Sequence, residues 1–311
     1  MIEYTSLSQE PRIFKSLTGM TVREFDDLCR RTQPVWQRNE RQRLSRCNRQ
    51  RAIGAGRKYE LGFREQLLMT AVWLRLYLNT EALGYFFGVD KSTVSRNTRR
   101  MLAALREVGE GTLGWPEPPK RGQGKSVEQA LQTYPDLFAI VDATEQRVRR
   151  SQDDQTQREH YSGKKKSHTR KTQLIVNEHG EIRHVSRSTP GRVHDLKHFR
   201  GSGAAEQIPQ QVTVGGDAGY DGLGNDLTDH SVITSFKARR NHPLTEEQKW
   251  LNQEFSRLRI VVENTICHLK HFKVLAHQFR HAVDWYDDAF RAVVAIVNPR
   301  IKRRVALASA A

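Results

Sequence analysis

The period at which apolar residues recur changes partway along this chain, from a helical repeat to short apolar runs of the kind that form strands. The change falls at residues 111–125, GTLGWPEPPKRGQGK, where prolines, glycines and charged residues are mixed as in interdomain linkers. A chain of 311 residues is long enough for two domains with cores of their own. The pattern therefore predicts an all-α part before this linker and an α/β domain, residues 126–311, after it.

Residues 59–110 have the pattern of a helix-turn-helix domain. The segment FREQLLMTAVWLRLYL spaces its apolar residues three and four apart, which predicts a helix with one buried face. Thr80 can cap a second helix, EALGYFF; Gly88 then allows a tight turn, and Asp90 or Ser92 can cap a third helix. We expect this domain to bind DNA, the alternative being a purely structural three-helix bundle.

The third helix carries the side chains expected near the major groove, namely Lys91, Ser92, Thr93, Ser95, Arg96 and Arg99. Asn97 occupies a position that is usually apolar in such domains, which weakens the match. The charge of the whole chain supports a polyanionic partner, because 51 Lys and Arg against 35 Asp and Glu leave a net charge of +16. Double-stranded DNA is therefore the expected partner.

Residues 1–58 form a helical and strongly basic segment. A short helix is predicted from Thr21 to Arg31, and the basic run from Arg38 to Lys58 is either a solvated linker or a contact to the DNA backbone. The 3 cysteines are widely spaced and indicate neither a disulfide framework nor a zinc site. Because no signal segment or membrane-spanning apolar run occurs, we expect a cytoplasmic protein without a membrane partner.

Five apolar runs beyond the linker predict strands, and two long helical patterns follow them. Strands in succession with helices mostly at the end favour a mixed sheet covered by helices. The predicted strands are LFAIVD (137–142), KTQLIV (171–176), EIRHVS (181–186), QVTVGGD (211–217) and VITSF (232–236), and the predicted helices span 245–276 and 287–301.

Three carboxylates in this domain predict a metal site. Asp142 and Asp217 each follow an apolar run directly, although an acid at a strand end is often only a turn former. Glu263 lies in the helical segment RIVVENTICHLK, where apolar neighbours make an ionised carboxylate costly unless a cation or a partner such as Arg259 is near. Carboxylates that converge at one edge of a sheet are suited to Mg²⁺, which prefers oxygen ligands.

Five ordered blocks of the sequence resemble the DDE transposases of the IS5 type, which are related to the Harbinger transposases. The blocks are VDAT (141–144), YSGKKKSH (161–168), STPGRVHD (188–195), GGDAGYDG (215–222) and RIVVENTICHLKHFKVL (259–275). In the fourth block the family often has lysine where this chain has Ala218, which leaves the neighbouring acid intact.

The resemblance implies an RNase H-like catalytic domain preceded by the all-α helix-turn-helix domain. It places the catalytic and metal-binding acids on Asp142, Asp217 and Glu263, with two Mg²⁺ or Mn²⁺ ions in each active site. It implies cleavage of transposon-end DNA by water, attack of the freed 3′-hydroxyl on target DNA, and a homo-oligomer that holds two ends. The rival interpretations are a DNA-binding protein that has lost catalysis and a metal-dependent nuclease that cuts without joining.

Several neighbours of the three acids have two interpretations. Asp195 is expected to cap the helix HDLKHF rather than to act as a fourth metal ligand, and His194 is expected to be structural or to hydrogen-bond to the site from outside. Tyr220 either stacks on a base or fills a gap in the core. Asp221 and Asp226 lie in a glycine-rich stretch and are expected to be turn residues.

A basic cluster flanks the predicted site. We expect these side chains to hold DNA phosphates, the alternative being a solvated hairpin. They are Lys164, Lys165 and Lys166, together with Arg147, Arg149, Arg150 and His168.

Overall fold

The structure is a computed structural model that describes residues 1–45, 52, 55, 59–115, 138–238 and 243–309. The chain forms two compact units, one of Met1–Thr112 with His268–Arg300 and the other of Leu113–Cys267 with Ile301–Ala311. The change of unit after Thr112 lies close to the predicted linker, of which residues 116–125 are outside the described residues. The carboxyl-terminal part differs from the sequence prediction, because His268–Arg300 groups with the helical unit and not with the rest of 126–311.

The helices are numbered in chain order. Those before the linker are α1 (Tyr4–Leu7), α2 (Pro11–Thr18), α3 (Val22–Leu44), α4 (Phe63–Leu76), α5 (Thr80–Phe87) and α6 (Lys91–Glu110). Those after it are α7 (Asp154–His160), α8 (Asp195–Arg200), α9 (Leu223–Asp226), α10 (Glu246–Lys270), α11 (Lys273–Ala276) and α12 (Asp284–Ser309).

Helix α3 begins at a capping box and is longer than the sequence predicts. The Thr21 hydroxyl accepts from the backbone N–H of Glu24 at 3.2 Å, and the Glu24 carboxylate accepts from the backbone N–H of Thr21 at 2.8 Å. The helix then continues past Arg31 to Leu44. The first part of the basic run is therefore helical, and Arg38 forms an ion pair with Glu107. Most of the run from residue 46 to residue 58 lies outside the described residues.

The three helices α4, α5 and α6 form the predicted helix-turn-helix scaffold. Asn79, one residue before the predicted Thr80, caps α5 by accepting from the backbone N–H of Ala82 at 2.7 Å. Gly88 ends α5 in the left-handed region, with φ of 67°. Asp90 caps α6 by accepting from the backbone N–H groups of Ser92 and Thr93 at 2.7 and 2.9 Å.

Helix α4 is buried on all sides, although its sequence predicts one buried face. Every residue from Gln66 to Leu74 is buried, because the carboxyl-terminal segment of the same unit supplies further packing. Helix α12 fits closely against α6, since a side chain at Gly109 would overlap the backbone carbonyl of Arg291. The Asn298 amide also donates to the carbonyl of Thr112 at 3.0 Å.

The second unit is built on a mixed sheet, as predicted, and the α/β RNase H-like class is confirmed. The order is β2-β3-β1-β6-β7, with β4 and β5 also paired to β3; β1 is antiparallel to β3, whereas β1, β6 and β7 are parallel. The strands are β1 (Phe138–Arg147), β2 (Tyr161–Ser162), β3 (Ser167–Asn177), β4 (Ile182–Val185), β5 (Thr189–Pro190), β6 (Thr213–Gly216) and β7 (Val232–Thr234).

Helix α10 is held on the sheet at two points. Gly215 of β6 has no side chain, and a Cβ atom there would lie 2.7 Å from the Phe255 ring of α10. The hydroxyl of Thr265 donates to the carbonyl of Gly180, in the turn between β3 and β4, at 3.0 Å. These two contacts fix the rotation of the part of α10 that lies between Phe255 and Thr265. That part of the helix carries Arg259 and Glu263.

Among the described residues, no helix is both long and apolar enough to cross a membrane. Cys29 and Cys267 are free thiols, and Cys47 lies outside the described part of the chain.

Candidate active site

Asp142 and Asp217 are neighbours across two parallel strands. Val141 of β1 is paired with Gly216 of the parallel strand β6. Asp142 and Asp217 are the residues that come directly after this pair, and the chain runs in the same direction at both. Asp217 is the residue immediately after the end of β6, as predicted. Asp142 is different, because β1 continues to Arg147 through its antiparallel pairing with β3. The expectation that Asp142 ends a strand is therefore wrong, although the side chain still lies at the point where β6 stops.

Glu263 approaches the two aspartates from α10, but its surroundings differ from the sequence prediction. Its side chain is 58% exposed, against 17% for Asp142 and 27% for Asp217. Val262 beside it is buried, whereas Ile260 on another side of the helix is half exposed. Asp142 is therefore the buried carboxylate of the three, and Glu263 is the exposed one. The prediction that Glu263 lies in an apolar environment is wrong.

The guanidinium group of Arg259 lies among all three carboxylates. Its Nη2 atom is 3.6 Å from Asp142 Oδ2, 4.0 Å from Asp217 Oδ2 and 3.8 Å from Glu263 Oε1. The sequence indicated the ion pair with Glu263, one helical turn away, but gave no sign of the contacts to the aspartates. Three acids that are far apart in the sequence thus converge on one cation.

Burial raises the pKa of Asp142 from its ordinary value of 3.8 to about 6. The backbone N–H of Ala143, which donates to Asp142 at 2.7 Å, and the charge of Arg259 oppose this rise. The negative charges of Asp217 and Asp195 add to it. The positive charge of Arg259 therefore favours the ionised form of Asp142 against the effect of burial.

Asp195 is a fourth carboxylate close to this group, and it does not cap α8. It is the first residue of that helix, and its carboxylate accepts from Lys171 Nζ at 2.6 Å. A Cβ atom at Gly219 would lie 2.8 Å from both Asp195 Oδ2 and Asp217 Oδ1, so a side chain there would displace these carboxylates. The capping interpretation is therefore wrong, and Asp195 is already neutralised by a lysine.

Lys171 is a buried cation that sequence reasoning did not identify. Besides Asp195, its ammonium group donates to the carbonyl of Val193 at 2.8 Å and lies 3.8 Å from Glu145. Glu145 and Lys171 are direct partners in the pairing of β1 with β3, and both side chains are 8% exposed. An ion pair across neighbouring strands is the signal that could have revealed them.

Among the other neighbours, Tyr220 and Asp226 have structural contacts. Tyr220 is fully buried in the core beside the sheet, so it fills the core and does not offer a stacking surface. Burial, with the nearby carboxylates as a lesser cause, raises its pKa well above the ordinary value. His194 is the residue before α8 and makes no side-chain capping bond. Asp226 ends α9 and pairs with Arg200 at 2.9 Å.

The chemistry of the carboxylate group suits a divalent cation. Its donors are hard carboxylate oxygens, one of them buried, and a guanidinium already holds positive charge between them. Within the described residues, however, no three His, Cys, Asp or Glu side chains are close enough together to bind one ion as they stand. The donor set fits a metal, and Arg259 lies in the space between the donors.

The predicted DNA-contacting residues of α6 lie mainly on an exposed face. Lys91, Ser92, Arg96 and Arg99 are exposed, and Thr93 and Ser95 are partly exposed. Asn97, in contrast, is buried. Arg99 lies 3.5 Å from Asp284, an ion pair that the sequence did not indicate.

Arg100 and Tyr59 extend this face beyond the predicted residues. Both line a cleft of about 250 Å³ beside α6, together with Arg96. The Arg100 guanidinium lies over the Tyr59 ring, 5.7 Å from its centre.

The three lysines of the second unit lie in the turn of a hairpin. Residues 163–166 connect β2 to β3, and Lys164, Lys165 and Lys166 are exposed. Ser162 stabilises the turn by accepting from the backbone N–H of Lys165 at 3.2 Å. Lys166 adopts a positive φ of 47°, which is unusual for a residue with a side chain. The turn presents its three ammonium groups to solvent.

The sequence matches two family models in the same order as these structural units. Residues 141–298 match the DDE superfamily endonucleases, and residues 59–111 match the helix-turn-helix of DDE superfamily endonucleases. The chain belongs to the DDE superfamily of endonucleases. The resemblance identified from the sequence blocks and the expectation of an enzyme are thus confirmed, and the carboxylate group lies within the matched endonuclease span.

Two relatives of this DDE endonuclease have names that describe their roles. A probable transposase for insertion sequence element IS702 of Microchaete diplosiphon is 30% identical over 227 residues, 73% of this chain and 76% of that protein. A transposase for insertion sequence element IS1106 of Neisseria meningitidis serogroup B is 37% identical over 98 residues, 30% of this chain and 31% of that protein. No solved structure matches the chain significantly.

Proposed function

We propose that this DDE endonuclease is a transposase that cuts DNA at the ends of an insertion sequence and joins the freed ends to target DNA. The observation that carries the proposal is the convergence of Asp142, Asp217 and Glu263 within 4.0 Å of one guanidinium nitrogen. The names of the two relatives support insertion-sequence ends as the substrate.

In the proposed mechanism, Asp142, Asp217 and Glu263 would hold two Mg²⁺ or Mn²⁺ ions. Such ions would supply positive charge that stabilises the negative charge developing in an in-line phosphoryl transfer. Water first opens a phosphodiester bond at the transposon end and leaves a 3′-hydroxyl. That hydroxyl then attacks a phosphate of the target strand, forming a new phosphodiester bond and releasing the target's own 3′-oxygen. The rigid strands and α10 position the three carboxylates before DNA arrives.

The test uses a plasmid that carries the gene with its natural flanking DNA. Purified protein with Mg²⁺ or Mn²⁺ should produce broken ends and, on a second plasmid, strand-transfer joints that sequencing detects. Cleavage without joints would indicate a nuclease, and end binding without cleavage would indicate a catalytically inactive DNA-binding protein. Either result would overturn the proposal.

Variants of the carboxylates test the site assignment separately. Asp217→Asn and Glu263→Gln are each expected to lower cleavage by at least about 1,000-fold while leaving end binding intact. Glu254→Gln is the matched control, because Glu254 lies on the same helix but pairs with Arg257 at 2.6 Å. A variant at Asp217 or Glu263 that cleaves as well as the control would refute the assignment.

We also propose that the exposed face of α6 recognises the transposon ends and that the lysine turn binds DNA phosphates. A double variant, Lys165→Glu with Lys166→Glu, should bind DNA more weakly. The slope of log affinity against log salt concentration should become less steep by about two if each lysine contacts one phosphate. Arg96→Ala should reduce the preference for end DNA over unrelated DNA. An unchanged affinity and salt slope in the lysine variant would exclude the turn from the interface.

Concerted cutting and joining of two ends requires two active sites, so the proposal includes a homo-oligomer on DNA, acting in the cytoplasm at the nucleoid. Light scattering of the protein with end DNA should give at least two chains per complex. A stable complex of one chain with one end that is fully active in joining would contradict this part of the proposal.

A further inference from the structure

Arg259 contacts the three carboxylates without making a hydrogen bond to any of them. Its distances of 3.6, 4.0 and 3.8 Å are all longer than the 2.7–2.9 Å typical of hydrogen-bonded guanidinium and carboxylate groups. The side chain is nevertheless only 19% exposed, and its Nε atom is buried with no hydrogen-bond partner among the described residues. The group is therefore held mainly by charge and not by directed bonds.

Other arginines of the same unit are bound differently. Arg170 donates to the hydroxyl of Ser188 at 2.9 Å and to its carbonyl at 2.6 Å. Arg257, two residues before Arg259 on α10, pairs with Glu254 at 2.6 Å on an exposed part of the helix. Arg259 thus differs from its neighbours in having several negative partners and no directed bond to them.

The local charge explains why a cation is needed at this position. Three carboxylates share one guanidinium, which leaves the group with an excess of negative charge. Asp195 beside them has its own partner in Lys171, so that lysine does not neutralise the three acids. Among the described residues, Asp142 forms its ion pair with Arg259, so without this guanidinium the buried carboxylate would face Asp217 with no ion-pair partner there.

We propose that Arg259 is a resident counter-ion, which holds the three carboxylates together in the metal-free protein and is displaced when divalent cations bind. The inference rests on the proposed role of these carboxylates as metal ligands. Because the guanidinium and a metal ion would use the same oxygens, their binding is competitive. Arg259 therefore stabilises the protein without metal and weakens its affinity for metal.

Direct metal binding tests the competition without any measure of activity. Mn²⁺ titrated calorimetrically into the full chain should bind Arg259→Gln about 10-fold more tightly than the unmodified protein. In EDTA the same variant should melt at a lower temperature, and Mn²⁺ should restore more of its stability. Arg259→Lys, which keeps the charge, should lie between the two, and Arg257→Gln should match the unmodified protein.

A chemical measurement on the unmodified protein covers the case in which Arg259→Gln does not fold. Phenylglyoxal modifies accessible guanidinium groups, and mass spectrometry can report its reaction at Arg259 and at Arg257 separately. Added Mn²⁺ should increase the reaction at Arg259 several-fold and leave Arg257 unchanged. Protection of Arg259 by Mn²⁺ would overturn the inference, as would an affinity for Mn²⁺ that is equal or weaker in a folded Arg259→Gln.

The outcomes also separate this inference from the proposed function. If the unmodified protein binds Mn²⁺ and Asp217→Asn does not, the metal site stands whatever the behaviour of Arg259. If neither the unmodified protein nor Arg259→Gln binds Mn²⁺, the metal site fails, and the inference fails with it.

Discussion

At the scale of single residues, Asp142 shows how a site suited to chemistry opposes folding. Its pKa in the folded protein is about 6, against an ordinary value of 3.8, because burial disfavours the charged form. The folded state therefore binds a proton more tightly than the unfolded state. Stability from this group is fully present below about pH 4 and is lost as the pH rises through about 6.

Asp142→Asn should remove this dependence in the metal-free protein. The variant is expected to be more stable than the unmodified protein at pH 7.5, by roughly 1–3 kcal/mol, and to differ little near pH 4. Urea unfolding in EDTA at several pH values measures the difference. The variant should also lose cleavage, since function and stability make opposite demands here. A variant that is less stable at pH 7.5 would show that the ionised carboxylate contributes to folding.

Lys171 is a residue whose loss should damage the fold and the site together. Lys171→Met would leave Glu145 and Asp195 without their shared cation, and breaking a buried ion pair costs about 3 kcal/mol or more. Denaturant unfolding should show this loss. Lys249→Met should change stability by less than about 1 kcal/mol, because its pair with Glu246 is exposed. Adding Asp195→Asn to Lys171→Met should recover part of the loss; no recovery would mean that Asp195 is not the partner that matters.

At the scale of helices and strands, the turn between α5 and α6 depends on one small residue. A Cβ atom at Gly84 would overlap the backbone carbonyl of Val89, which cannot move without shifting the start of α6. Gly84→Ala is therefore expected to destabilise the helical unit by about 1–3 kcal/mol and to weaken end binding. Thermal unfolding and a DNA-binding titration measure the two effects.

Gly111→Ala is the matched control for this turn. Gly111 follows α6 with a φ of −66°, and a Cβ atom there would meet its nearest neighbour at 3.5 Å, an ordinary contact distance. This variant should be as stable as the unmodified protein. If the two variants behaved alike, close packing at Gly84 would not be the reason for its effect.

Helices and strands were predictable from sequence where local signals decide them. The caps near Asp90, the turn at Gly88 and the strand that ends before Asp217 follow from short-range chemistry. Asp142 was misplaced within β1 because the length of that strand is set by its partner β3, which is distant in sequence. The exposure of Glu263 was also mispredicted, since apolar neighbours along a helix do not reveal which face meets the sheet.

At the scale of the whole molecule, the helical unit is completed by a segment that follows the three proposed catalytic carboxylates in the chain. Residues His268–Arg300 contribute buried side chains to the unit that contains the helix-turn-helix. Within this unit, the ring of Phe279 stacks on Tyr77, and Arg31 donates to the carbonyl of Ala295 at 3.2 Å. The helix-turn-helix model covers residues 59–111, which are only part of this structural unit.

A fragment of residues 1–112 is therefore expected not to fold on its own. It would lack Phe279, Tyr286, Phe290 and Val293, each at most 1% exposed in the structure. Loss of four such side chains removes on the order of 6–12 kcal/mol, comparable with the net stability of a domain. Circular dichroism and thermal melting should show no cooperative transition.

Joining residues 268–309 to this fragment through a long glycine–serine linker should restore the transition and the binding of end DNA. A fragment 1–112 that melts cooperatively, at the temperature of the joined version, would show that the carboxyl-terminal segment is dispensable for this unit.

Because residues His268–Arg300 belong to the first unit, that unit cannot be completed until late in translation. A ribosome makes the helix-turn-helix early, but the residues that complete its core emerge only after those that carry the three carboxylates. A nascent or prematurely terminated chain therefore lacks a finished DNA-reading surface. If the proposed function holds, a chain that can recognise an insertion-sequence end is one whose proposed catalytic residues have already been translated.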